Sequence, residues 1–271
     1  MLKSILLHLG GVRERANVIP CGVGIAQASQ ARICRDSLLD TRREDNLRLT
    51  CESAIHLYFE QEKRRQMERD LKAHRKDLTT ACLAADLDFD VRRLIGNPVQ
   101  ELPGLAKFHN LFITAFSDRK SPGGLTGGQI IDLARRDARS ILMLRESARP
   151  IQRVLRAADG FDASRNAIRV YLASRPFPDA SHRVLGIAEQ EMLARQWTHE
   201  VLGECRAKLG NVETGSLVGK PRRVLIPYLG KWEADMVVLG LPKALPVVDR
   251  LLGATALRVL TKTECVLFAS A

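Results

Sequence analysis

Residues 234–260 read ADMVVLGLPKALPVVDRLLGATALRVL. An apolar run, 236–239, ends in Gly240, and Gly253 follows a helix-like segment. Glycines placed this way suit phosphate binding. Backbone N–H groups can approach an anion where no Cβ stands in the way, and the N-terminus of a following helix adds a favourable field. Lys243 lies between the two glycines. It has two readings: a cation aimed at a phosphate in place of lost backbone donors, or a long solvated side chain on a surface loop. Pro242 and Pro246 stiffen the loop and remove donors.

Other chemistry finds little support. GVGIAQ at 22–27 has two glycines of a dinucleotide fingerprint but lacks the third and follows no clear strand. There is no Walker A lysine motif, no G-x-S-x-G elbow and no HExxH. The six cysteines, Cys21, Cys34, Cys51, Cys82, Cys205 and Cys265, form no C-x-x-C and sit at no metal-ligand spacing with a histidine. Buried free thiols in a reducing compartment are expected. The six histidines are scattered and read as surface or packing residues. No nucleophile, base and orienting group stand together, so an enzyme is not expected.

These residues need elements to hold them. The chain has 271 residues, 45% of them hydrophobic, which suits one large domain or two ordinary ones. Aromatics are 5%, so aliphatic side chains must fill the cores. The net charge of +11 would attract nucleic acid, anionic membrane or nucleotide phosphates. The densest basic run, EKRRQMERDLKAHRK at 62–76, also carries acids and reads as a solvated helix face with i,i+4 pairs. No zinc-finger spacing or aromatic-basic interleaving favours a nucleic-acid interface. The opening MLKSILLHLGG has too short an apolar run for a signal peptide, and no stretch is long enough for a membrane span. A cytosolic protein is expected, with no membrane contact.

The chain resembles itself. GNPVQELPGLAKFHNLFITAF (96–116) aligns with GKPRRVLIPYLGKWEADMVVLGL (219–241). SILLHLGG (4–11) aligns with RVLRAADG (153–160), and SILML (140–144) with CVLFA (265–269). The order is the same in both copies. The division predicts two units, 1–147 and 148–271, joined near 146–150, with the extra length of the first lying at 41–85. In the second copy the pattern predicts strands at 152–158, 182–188, 211–217, 234–240 and 264–269. Helices fall between them near 162–174, 189–209, 221–230 and 246–260. Leu193, Trp197, Val201, Cys205 and Leu209 recur every fourth residue and predict a buried helix stripe. Alternating β and α units imply parallel sheets with right-handed crossovers, hence α/β, two doubly wound domains.

The pieces ILLHL, RVLRAADG, Gly-x-Pro before the third helix, ADMVVLG with a spaced glycine, and ECVLFAS occur in the order that resembles the universal stress protein family, in its tandem form. The resemblance spans nearly the whole chain. It implies a five-stranded parallel sheet of order 3-2-1-4-5 in each half, with helices on both faces. Family members that bind ATP or AMP carry it across the carboxyl ends of strands one and four, where strand order reverses. They use an Asp after strand one and a loop written G-x2-G-x9-G-[ST]. Asp159, followed by Gly160, matches the Asp; Gly240 matches the first glycine and Gly253 the third. Lys243 stands where the second glycine belongs, and Ala254 replaces the hydroxyl residue, with Thr255 adjacent. The resemblance thus implies a degenerate adenine-nucleotide site at Asp159, Gly160, Gly240, Lys243, Gly253 and Thr255. In the first half Gly10 replaces the Asp, and AFSDRKSPGGLTGGQ (115–129) reads as a flexible turn, so no nucleotide site is assigned there. The family further implies a non-enzymatic stress-response factor, at most a slow ATPase. It implies a pseudo-dimer of the two halves, through 141–144 and 266–268, and leaves a homodimer and unnamed protein partners open. The rival readings are an ATP- or AMP-driven switch and a basic nucleic-acid-associated protein.

Overall fold

The computed structural model describes residues 2–9, 15–40, 54–116, 124–136, 140–145, 150–242 and 254–270. Short, wholly apolar runs become strands covered on both faces, as in parallel sheets. MVVLG is an example, with its first four residues buried.

The first half runs β1 (Ser4–His8), α1 (Arg15–Ser29), β2 (Arg32–Asp40), α2 (Ala54–Ala84), β3 (Phe89–Gly96), α3 (Pro98–Ala106), β4 (Leu111–Phe116), α4 (Gly127–Arg136) and β5 (Ser140–Arg145). The second runs β6 (Arg153–Ala158), α5 (Asp162–Ser174), β7 (Ser181–Ala188), α6 (Glu191–Leu209), β8 (Glu213–Val218), α7 (Pro221–Lys231), β9 (Met236–Gly240), α8 (Ala254–Lys262) and β10 (Val266–Ser270). The Gly-x-Pro pair marks the same event in both halves. Pro98 and Pro221 open α3 and α7, where a missing N–H costs nothing.

One ten-stranded sheet results, in the order β3-β2-β1-β4-β5-β10-β9-β6-β7-β8. Each half contributes the doubly wound order 3-2-1-4-5, and neighbours within a half are parallel. The halves meet antiparallel, with Met143 opposite Leu267 and Ile141 opposite Ala269. Two apolar layers cover the sheet, and both continue across this seam. One takes in α1, α2, α5 and α6, the other α3, α4, α7 and α8. Arg145 of β5 reinforces the seam: it donates to the Leu260 carbonyl and pairs with Glu264 at 3.3 Å.

Several expectations need correction. The buried face of α6 is Ala194, Thr198, Val201 and Cys205. Leu193, Trp197 and Leu209 are only half-buried. A strict four-residue step drifts about 40° per turn, so the true face alternates fours and threes. Gly127 and Gly128 are not a flexible turn. They open α4, which Thr126 and Gln129 cap reciprocally, Gln129 Oε1 accepting from Thr126 N at 2.9 Å and Thr126 Oγ1 from Gln129 N at 3.3 Å. The expected helix at 246–260 begins, among the described residues, at Ala254; 246–253 lie outside them. The basic run of α2 is a paired face, with Glu62 accepting Arg69 at 2.8 Å and Glu68 facing Arg64 at 3.8 Å. No helix among the described residues is long and apolar enough to cross a membrane.

Candidate functional site

Strand order in the second half reverses at β6, which has β7 on one side and β9 on the other. Crossovers leave these strands in opposite directions, so a crevice opens at their carboxyl ends. A cleft of about 310 Å³ lies there. The first turns of three helices meet it: Phe161, Ala163 and Ser164 from α5, Pro221 and Arg222 from α7, Thr255 and Ala256 from α8. Its walls are apolar, from Ala157, Ile187, Leu225 and Leu239.

Asp159 lines the cleft just past β6. Its Oδ1 accepts the Phe161 N–H at 3.3 Å, which holds the tight turn into α5. Ser164 finishes the turn, donating its hydroxyl to the Phe161 carbonyl at 2.8 Å. Gly160, at φ +82°, sits behind the turn; a Cβ there would lie 2.5 Å from Cε2 of Trp197. Both the backbone and the space therefore demand glycine.

Gly240 closes β9 and lines the cleft. Its bare Cα serves packing: a Cβ would lie 2.2 Å from the backbone of Ala163 and Ser164, in the first turn of α5. Leu241 gives its N–H to the Ser270 carbonyl at 2.8 Å. Pro242 has no N–H, and its carbonyl accepts Nε of Arg135, a buried residue of the first half, at 3.0 Å. So the first half holds the start of the second half's loop.

Asp159, Gly240 and Thr255 therefore share one cleft, and Gly160 stands directly behind it. Lys243 and Gly253 lie outside the described residues. Two lining cations were not anticipated from the sequence, Lys220 and Arg222. Lys220 is 3.5 Å from Glu189, both exposed. Arg222 makes no ion pair among the described residues. The signal was present in GKPRR, since a cation beside the N1 proline of a helix after the third strand must sit at the carboxyl edge of the sheet.

The matching place in the first half is filled differently. His8 ends β1 where Ala157 lies in β6, and its Nδ1 is 2.9 Å from Oδ2 of Asp36 on β2, with both side chains buried. Thr114 of β4 lies beside His8 in register and is fully buried. Gly22 and Gly24 of the discounted fingerprint are interior to α1. Among the described residues no cluster of three metal-ligating side chains occurs. No disulfide joins the described cysteines, and burial pushes Cys21 up to about 12 and Cys82 to about 11, which keeps both thiols protonated.

A family model for the universal stress protein family matches residues 145–268. No curated protein matches the sequence. Among solved structures, a universal stress protein from Archaeoglobus fulgidus superposes with a TM-score of 0.67 at 15% identity, over 98% of this chain and 97% of its own. A putative universal stress protein from Pseudomonas aeruginosa gives 0.64 at 16% identity, over 99% and 93%. Another Pseudomonas aeruginosa protein, described as functionally unknown, gives 0.63 at 17% identity, over 99% and 92%. At such identities the likeness speaks for the fold. Residues 145–268 thus match the universal stress protein family model, and over its whole length the chain has the doubly wound α/β fold of the solved structures it resembles, once in each half.

Proposed function

We propose that the protein is a non-enzymatic stress-response factor of the cytosol, whose second unit, 148–271, binds an adenine nucleotide weakly. The first unit, 1–147, is a degenerate partner without a nucleotide site. One observation carries the reading: Asp159, Gly240 and Thr255 line one apolar cleft at the point where strand order reverses. Its volume of about 310 Å³ sits at the low end for small-molecule pockets, room for one ligand. Weakness follows from the sequence of the loop. Lys243 replaces a glycine and Ala254 a hydroxyl residue, and the proline at 242 removes a donor. In the first unit the buried His8–Asp36 pair takes the place of an open floor.

The seam between β5 and β10 supports an intramolecular pseudo-dimer of the two units. The charge of +11 gives the nucleic-acid reading no stronger footing, because the densest basic run is laced with its own carboxylates.

Isothermal titration of ATP with magnesium, and of AMP, into wild type and Asp159→Ala tests the proposal. Wild type should bind with a dissociation constant of roughly 0.1–1 mM, and the variant about tenfold more weakly. No heat from wild type at millimolar nucleotide would leave the cleft a relic.

A further inference from the structure

We infer that Lys220 and Arg222, at the start of α7, hold the phosphate of the ligand, in place of the loop after β9. This rests on the adenine-nucleotide reading above and assigns the charged end of that ligand.

The argument begins with donors. A phosphate needs N–H groups or cations that have no better partner. The described start of the loop offers few. Leu241 has given its N–H to Ser270, and Pro242 has none. The bare Cα of Gly240 is pressed against the backbone of α5, so the close approach a glycine would grant a phosphate is already taken. The side of the cleft nearest β8 is the reverse case. Arg222 is exposed, lines the cleft and makes no ion pair among the described residues. Lys220 also lines it, and its contact with Glu189 is a solvent-exposed pair at 3.5 Å, easily exchanged for a better anion.

The backbone adds to the side chains. Lys220 is the N-cap of α7 and makes no side-chain cap bond, so the helix start has no anion of its own. The partial positive charge there favours one. Arginine's planar fork matches two phosphate oxygens at once, which lysine cannot do. The lining carboxylate, Asp159, is tied to the turn it caps, which leaves the α7 side of the cleft cationic. The ligand is accordingly a purine nucleotide whose base lies on the apolar wall and whose phosphate points toward α7.

The test is titration of ATP, AMP and adenosine into wild type, the double variant Lys220→Gln/Arg222→Gln, and Arg222→Lys. Both positions are exposed, so the melting temperature should be unchanged, and it is measured alongside. Wild type should prefer the nucleotides to adenosine. The double variant should lose about tenfold or more in nucleotide affinity, with adenosine binding unaltered, and Arg222→Lys should recover part of the loss. If the double variant binds ATP as wild type does, the phosphate lies elsewhere and the inference falls while the adenine-nucleotide reading stands. An equal loss for adenosine also overturns it. If wild type binds none of the three, both fall together.

Discussion

Arg156 is fully buried on β6 and has no carboxylate beside it among the described residues. Its Nη1 meets Nδ1 of His182 at 3.0 Å, and its guanidinium lies 5.5 Å from the Tyr171 ring centroid. Nε and Nη2 have no hydrogen-bond partner among the described residues. Burial lowers Arg156 from its ordinary value. Burial, and then the cation itself, push His182 down to about 4. The sign follows from linkage. His182 stays neutral in the fold, while the unfolded chain takes a proton near 6.5, so stability is full above that pH and is lost as pH falls toward 4. Wild type should lose about 2 kcal/mol between pH 7.5 and pH 5 from this group, and His182→Gln should lose correspondingly less, as read from urea midpoints. An identical pH slope in both would contradict the assignment. This cluster was illegible in the sequence. A charge inside a strand ordinarily marks a wet face, and RVLRAADG gives no sign that its second arginine points into the core. Lys220 and Arg222 differ from it: GKPRR carried their signal, but a cation near a helix start reads as ordinary surface until the sheet places it over a cleft.

At the scale of elements, the sequence was far more readable. Hydrophobic runs located β6, β7, β9 and β10 to within about two residues, because burial on both faces leaves little freedom in composition. Helix α5 was placed at its observed bounds, 162–174. What patterning could not show was the purpose of a glycine. Gly240 reads as a phosphate residue from its spacing, yet in the fold it lets α5 lie directly on the end of β9. The two roles can be separated. Gly240→Ala must push α5 away from β9 and should destabilise the fold by about 1–3 kcal/mol with no ligand present. Thermal melting of the unliganded variant checks this; an unchanged midpoint would return Gly240 to a purely binding role. Arg135, which holds the Pro242 carbonyl from the other half, was equally beyond reach, since nothing local in ARRDAR reports a partner across the seam.

Over the whole molecule, the repeat in the sequence becomes one sheet whose two halves share both cores. Strand β10 sits between β9 and β5, with Val266, Leu267 and Phe268 buried, and so are Ile141, Leu142 and Met143 opposite. Such a boundary is the interior of one body, so the 271-residue chain should unfold in a single transition. A fragment spanning 150–271 would bare the apolar edge of β10. It should pair with the β10 of a second copy, which occupies the position equivalent to β5, and sedimentation should report a dimer. A stable monomer would show that the seam adds little. The seam also has a consequence in time. A ribosome finishes β5 and then makes the entire second half before the strand that covers it appears. Throughout that interval the nascent chain trails an uncovered apolar edge, SILMLR, whose backbone donors and acceptors on the side away from β4 are unpaired. Slow decoding anywhere between β6 and β9 would lengthen that exposure, so the yield of soluble protein should depend on translation speed in the second half and on chaperones that shield a single strand.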